Sequence, residues 1–284
     1  MLLRMPELPE VETVCRVMRR ALVDQKITKV EVSPDEIVLK GIPPEAIQRA
    51  LENRTVKGVG RKGKYWWLEL DEKPWLFGHL GMAGWIREVG KPTTRIREHG
   101  KLPLDDENGR PKFLKLLIET SEGRRVVFTD GRRLGRLWLG DSPEEDAKIK
   151  ELGFDCYDEL PPSKELLALL KKRKAPIKAV LLDQSLFAGV GNWIADETLY
   201  QARINPKRSA DSLKPKEVDK LREALNTIMH VAVEARADSD NYPDDWLFSS
   251  RWGGKKGRSE IGGKKIVREP VGGRTTAWVP GVQK

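Results

Sequence analysis

The hydrophobic pattern of this chain changes its period near Gly140, and that change limits the fold more than any other feature. Ahead of it lie short runs rich in β-branched and aromatic residues: "KITKVEV", "KYWWLEL", "WLFGHLGMAGWI", "KFLKLLIET", "RRVVFTD" and "GRLWLG". Turn sequences such as "LDEKP" and "TSEGR" separate them, a spacing that predicts an antiparallel sandwich or barrel. Beyond Gly140 a polar stretch, "GDSPEEDAKIKELGFDCYDELPPS", gives way to helical periodicity over 164–172, 177–183, 192–201 and 215–237. In the last of these Val218, Leu221, Leu225, Ile228 and Ala232 share one face.

Two helices are expected within the β-rich half. One covers 10–22, with Val11, Val14, Cys15, Met18 and Leu22 on one side and Pro9 in its first turn. A shorter one covers 44–52. The predicted class is α+β: an N-terminal antiparallel β-sandwich domain with a leading helix (6–140), a linker (141–162), a helical domain (163–248) and a basic segment (249–284). The pieces "GGKKIVREP" and "GGRTTAWVP" in that segment suit a hairpin. No repeat or low-complexity tract is visible.

Composition narrows the class. Charged residues are 33% and hydrophobic residues 39% of 284, which fits a soluble globular protein. No run approaches the roughly 18 apolar residues of a membrane span, and "MLLRM" is too short for a signal peptide. The two cysteines, Cys15 and Cys156, exclude a four-cysteine zinc site and suit a reducing compartment. The formal net charge is +9, and residues 249–284 alone carry nine Lys/Arg against two Glu. A basic, glycine-rich segment of this kind is either a solvated tail or a phosphate-contacting element.

Familiar chemical motifs are missing. "AGVGNWIA" lacks the third glycine of a dinucleotide fingerprint and follows a helix rather than a strand. "GRKGK" is no Walker A loop, and His79, His99 and His230 have no metal-ligand spacing. Near the start, "PELPEVE" reads most simply as a helix N-terminus whose acidic residues complement the dipole.

Five segments nevertheless fall in one order: "PELPEVE", "GRKGKYWWLEL", "HLGMAGWI", "DGRRLGRLWLG" and "LFAGVGNWIADETLYQARINP". Together they resemble the formamidopyrimidine-DNA glycosylase/endonuclease VIII family of base-excision repair enzymes. "KFLKLLIETSEGRRVVFTDGRRL", "DNYPDDWLFSSRWGGKKG" and "GGRTTAWVP" are most similar to its plant and fungal branch, in which a metal-free (zincless) hairpin replaces the zinc finger. The resemblance implies a helix-two-turn-helix domain, damaged double-stranded DNA as partner, a monomer, and neither cofactor nor metal. It places the protein in the nucleus of a eukaryote or with the nucleoid in bacterial cytoplasm.

The same resemblance assigns roles. Pro6 matches the N-terminal proline that attacks sugar C1′ once the preceding methionine is removed. A secondary amine forms an iminium that acidifies C2′–H. Glu7 matches the neighbouring acid, and Glu10, one helical turn on, would position both or merely complement the dipole. Lys64 matches a hairpin lysine that reaches the lesion; its plain alternative is a solvated lysine beside Lys62. Arg274 matches the hairpin arginine that grips phosphate and serves in δ-elimination. Met82, Arg132 and Leu134 match the side chains that fill the gap left by an extruded nucleotide. Taken alone, Met82 and Leu134 would be core residues. Asn192, Lys174 and Lys178 match phosphate contacts, although "KKRK" also resembles a nuclear localisation signal.

Three departures stand out. "MLLR" precedes Met5, and unless residues 1–5 are removed Pro6 has no free amine. Leucine at 134 replaces the usual phenylalanine, and "RPKFLKL" replaces a histidine-containing stretch of bacterial members. The expected activity is a bifunctional glycosylase and AP lyase favouring formamidopyrimidines and hydantoins over 8-oxoguanine. The alternatives are a non-catalytic binder of damaged or abasic DNA with Pro6 blocked, and an RNA-binding protein.

Overall fold

The computed structural model describes residues 6–93, 105–107, 109–251 and 258–284. His99 and the glycine–lysine run of "SSRWGGKKG" lie outside these residues, as does everything ahead of Pro6. The chain forms two compact units, Met1–Glu151 and Leu152–Lys284.

In the first unit α1 (Leu8–Leu22) leads into β1 (Ile27–Val32), α2 (Pro44–Leu51), β2 (Val56–Lys62), β3 (Tyr65–Leu70), β4 (Trp75–His79) and β5 (Trp85–Glu88). Then follow β6 (Leu114–Thr120), β7 (Arg125–Thr129) and β8 (Arg136–Gly140). The strands make two four-stranded antiparallel sheets, ordered β1-β6-β7-β5 and β2-β3-β4-β8. Alternation explains the split of faces. In β3, Trp66, Leu68 and Leu70 point inward while Tyr65, Trp67 and Glu69 are half-buried outside. Trp66 and Leu68 from one sheet meet Ile86, Leu116, Ile118, Val126 and Phe128 from the other, with Met18 and Leu22 of α1 completing that interior. Helix α1 packs on strands of both sheets.

The sequence pattern suggested one strand through "WLFGHLGMAGWI". The structure breaks it in two and sends the halves to different sheets. Gly81 makes the break possible: its φ is +64°, a left-handed conformation suited to glycine, and the Gly84 amide closes the turn on the Leu80 carbonyl at 2.8 Å. Met82 therefore sits on a sheet-to-sheet turn rather than in a strand.

The expected linker is also partly structured. Within 141–162 lie α3 (Ala147–Lys150), capped by the Asp146 carboxylate, and β9 (Phe154–Asp155), which pairs in parallel with β10 (Phe187–Ala188). The second unit continues with α4 (Ser163–Leu170), α5 (Ile177–Leu181), α6 (Asn192–Gln201) and the long α7 (Pro215–Glu234). Two hairpins follow: β11 (Glu260–Ile261) with β12 (Lys264–Lys265), and β13 (Val267–Val271) with β14 (Arg274–Trp278). Gly272 and Gly273, at φ +61° and +75°, form the two-residue turn of the second, as the "GGR" sequence suggested. This hairpin is no separate tail. Leu247, Ile266, Ala277 and Val279 share a buried cluster against Tyr200 of α6. Among the described residues no helix is long and apolar enough to cross a membrane.

One packing contact offers a direct test of the sandwich. A Cβ on Gly78 would lie 2.1 Å from the ring of Trp66, which is 1% exposed. Gly78→Ala should lower stability by about 1–3 kcal/mol, the usual cost of overpacking, read as a reduced urea midpoint with unchanged slope.

Candidate active site

The start of α1 is held by its own acidic residues. Glu7 is the N-cap, and its amide donates to the Glu10 carboxylate (Oε2) at 3.1 Å. The Glu10 amide meets the Glu7 side chain in return, completing a capping box that fixes Pro6 and Glu7 relative to the first helical turn. Pro6, Glu7 and Glu10 are all buried. Glu10 lies in the acidic first turn and ties down the backbone of Glu7, the residue next to Pro6.

One turn further, Glu12 anchors the helix. Its buried carboxylate accepts from Arg19 Nη1 at 2.6 Å and Arg61 Nε at 3.1 Å, and Arg16 lies at 3.4 Å. Arg61 also donates to the Gly63 carbonyl at 3.3 Å. Gly63 and Lys64 form the turn between β2 and β3, so Arg61 links α1 to the hairpin that carries Lys64. Lys64 is not a solvated lysine: it is 6% exposed. Cys15, buried close by, has its thiol pushed up to about 12 by burial and then by the Glu12 charge, which leaves it inert as a nucleophile.

His79 stands opposite Tyr65 in the β3–β4 ladder, their rings 5.0 Å apart. Burial, then the positive charges of Lys64, Lys148 and Arg136, hold its pKa down at about 4. It is therefore neutral near pH 7, and its Nδ1 accepts the Gly81 amide at 3.0 Å. That bond fixes the turn bearing Met82.

A second turn meets this one. Asp130 accepts the Arg132 amide at 2.9 Å through one oxygen and the Gly135 amide at 2.6 Å through the other. Arg133, at φ +58°, directs its Nε to Asp35 at 3.0 Å, and Asp35 also takes Lys115 at 2.8 Å. Burial alone would raise the Asp35 pKa, but Arg133, Lys115 and the Val38 amide hold it well below the usual carboxylate range. With residue 133 tied back, Arg132 and Leu134 are left outward and exposed. A Cβ on Gly81 would fall 2.3 Å from the Leu134 backbone carbon, so the two turns touch. Met82, Arg132 and Leu134 thus share one edge of the first unit. Leu134 is 37% exposed and Met82 half-buried; neither is a core residue.

The second unit gathers the remaining residues around Asp196. This buried carboxylate pairs with Lys178 and Arg251 and accepts the Ala277 amide at 3.2 Å. Lys178 also donates to the Asn192 carbonyl at 2.8 Å. Direct phosphate contact by Lys178 is therefore corrected: its ammonium is fully buried on Asp196 beneath the start of α6. Asn192, the first residue of that helix, donates from Nδ2 to the Thr275 carbonyl at 2.9 Å, beside exposed Arg274. Gly272 approaches Ala179 so closely that a Cβ would meet its Cβ at 2.7 Å. Hairpin, α5 and α6 are thereby locked together, while Lys174 is exposed on the loop before α5.

The chain and its fold resemble known proteins. The family model of the formamidopyrimidine-DNA glycosylase N-terminal domain matches residues 5–137, and that of its helix-two-turn-helix domain matches 152–252. The chain belongs to the formamidopyrimidine-DNA glycosylase family. A formamidopyrimidine-DNA glycosylase of Arabidopsis thaliana is 39% identical over 280 residues, spanning 99% of this chain and 71% of the relative. One from Pelotomaculum thermopropionicum is 33% identical over 99% of both chains. Among solved structures, the Lactococcus lactis enzyme bound non-covalently to DNA with an AP site aligns at TM-score 0.78 and 25% identity, covering 98% of this chain and 99% of that one.

Within this formamidopyrimidine-DNA glycosylase fold the supporting residues were not foreseen. Glu12 and Arg61 are 49 positions apart with no local signal joining them. Asp130 was more accessible, because an aspartate two residues before an amide it accepts is a common turn device. Asp196 and Arg251, 55 apart, meet only in the fold.

The neutral state of His79 has a measurable consequence. An unfolded histidine takes up a proton near pH 6.5, whereas the folded one resists until about pH 4. Its contribution is therefore fully present above pH 6.5 and lost as pH falls toward 4. Urea midpoints should show a steeper acid decline for the native protein than for His79→Asn, which keeps an acceptor but does not titrate.

Proposed function

We propose that this chain is a bifunctional DNA glycosylase and AP lyase of base excision repair, acting on oxidised bases in double-stranded DNA. Membership of the formamidopyrimidine-DNA glycosylase family supports the glycosylase class. The observation that carries the finer reading is the position of Pro6, immediately ahead of a reciprocally capped helix whose first turn holds Glu7 and Glu10.

In this reading residues 1–5 are removed and the Pro6 nitrogen is a secondary amine. Terminal amines titrate near neutrality, unlike a lysine side chain, so part of the population carries a free lone pair. The amine attacks C1′ of the damaged nucleotide, the glycosidic bond breaks, and Glu7 supplies a proton during sugar opening. The resulting iminium withdraws electrons from C2′. Loss of that proton expels the 3′ phosphate, and a second elimination expels the 5′ phosphate. Lys64, tied to α1 through Arg61, is assigned to the flanking phosphate and to assisting elimination.

Met82, Arg132 and Leu134 form the wedge in this reading, inserted where the nucleotide leaves the stack. Extrusion costs a few kcal/mol, least at a damaged pair. Leucine offers less stacking area than phenylalanine, so dependence on the opposite base is reduced. Formamidopyrimidines and hydantoins are the proposed substrates, ahead of 8-oxoguanine. Arg274 and Lys174 supply phosphate contacts, with Asn192 beside the helix pole that favours anions. Lys178 acts indirectly by supporting that pole. The protein acts as a monomer, in the nucleus if the source is eukaryotic.

The decisive assay is borohydride trapping on an abasic duplex. Protein beginning at Pro6 should form a covalent adduct and Pro6→Gly much less. Equal trapping by protein retaining residues 1–5 would contradict an amine nucleophile at Pro6. DNA binding without any trapping would favour the non-catalytic reading.

The phosphate assignment makes a separate prediction. Arg274→Ala should weaken duplex binding and reduce the log–log salt slope by about 0.9, the value for one duplex phosphate contact. It should also leave product stalled after β-elimination. Glu7→Gln should instead retain affinity and lose base excision, so binding titrations across salt and product gels separate the two roles.

A further inference from the structure

Phe113 is the most exposed large hydrophobic side chain among the described residues, at 56%, and its backbone is unusual for its type. Its φ is +58°, a left-handed conformation that is an outlier for a bulky residue. The conformation is held from outside. The Asp130 amide donates to the Phe113 carbonyl at 2.9 Å, immediately before β6 begins. The ring lies over Gly131, where a Cβ would meet its atoms at 3.2–3.4 Å. Strain at a site fixed by its surroundings is a mark of function rather than packing, and an exposed ring contributes little to the core.

Its neighbours say what would cover it. Lys112, Phe113, Gly131, Arg132, Arg133 and Leu134 are exposed together. Arg132 makes no side-chain hydrogen bond to a described residue, while Arg133 and Lys115 are drawn back onto Asp35. An aromatic face beside outward cations is the arrangement that stacks nucleobases while attracting phosphate. Such a surface suits a nucleic-acid base better than an apolar protein surface.

We propose that Phe113 is a further DNA-contacting residue, whose ring stacks on a nucleobase at the step parted by Arg132 and Leu134. It supplies from a separate segment the aromatic surface that leucine at 134 lacks. The proposal rests on the wedge reading of Met82, Arg132 and Leu134 given above.

The test measures binding of the full-length protein to a duplex with a tetrahydrofuran abasic analogue and to the intact duplex, with 2-aminopurine facing the lesion or at either neighbouring position. Phe113→Gly should weaken lesion-duplex binding about tenfold, the scale of one lost base stack. It should weaken intact-duplex binding less and restore 2-aminopurine fluorescence at one position. Its Tm should be unchanged or higher, because glycine relieves the left-handed backbone. Phe113→Trp should retain both affinity and quenching. Lesion binding and quenching unchanged in Phe113→Gly would overturn the proposal. So would loss of affinity that follows a fall in Tm and is not rescued by tryptophan, since the ring would then be a cover for Gly131. Arg132→Ala distinguishes the two levels: if it separates lesion from intact duplex and Phe113→Gly does not, only the Phe113 assignment fails. If neither does, the wedge reading fails.

Discussion

Three carboxylates, Glu7, Glu10 and Glu12, are buried in the first turns of α1, and the first unit's candidate site depends on how they are satisfied. A buried carboxylate left unpaired costs several kcal/mol, so each needs a fixed donor. Glu7 and Glu10 take theirs from the helix's own first amides. Glu12 takes arginines, one of which, Arg61, is only 2% exposed and also holds the Gly63 carbonyl. The helix start and the Lys64 hairpin are consequently set by one ion-pair system. Its removal would disturb both ends together, because losing one partner of a buried pair strands the other.

The second unit solves a comparable problem with the opposite sign. Asp196 receives two cations, Lys178 and Arg251, leaving one net positive charge under the carbonyl end of Asn192 and the start of α6. Positive charge below a helix N-terminus adds to the pole that already favours anions. Nearby, burial raises Glu197 to about 7, partly offset by Gln201 and the Leu247 and Phe248 amides, and this residue fastens α6 to the turn at 247–249. Buried groups thus position exposed Arg274 and half-buried Asn192, which stand where they do because Asp196 and Gly272 fix the elements beneath them.

The legible parts of the sequence were those governed by local rules. Strand alternation around Trp66 and Leu68, the proline-started α1, the apolar face of α7 and the Gly272–Gly273 turn all follow from short-range chemistry. Local rules also misled where geometry depends on distant partners. "HLGMAGWI" looked like continuous strand because its apolar residues hide a left-handed glycine that transfers the chain between sheets. Lys178 matched a phosphate contact by resemblance, whereas its burial is decided by Asp196, 18 residues later. Phe113 lies second in the run "KFLKLLIET" that reads as a strand, and only the fold shows it exposed over Gly131. The resemblance to a repair family selected site residues that no single local rule would have selected, but not the buried charges that hold them.

In the proposed mechanism one atom, the Pro6 nitrogen, acts from the capped end of α1. Trapping reports that a Schiff base forms; only its location identifies the amine. Protein beginning at Pro6, reduced with borohydride on an abasic duplex, can be digested and its DNA-bearing peptide sequenced by mass spectrometry. The sugar remnant is expected on the amino-terminal peptide, attached to Pro6. Attachment to Lys64, or to any other lysine, would contradict this mechanism.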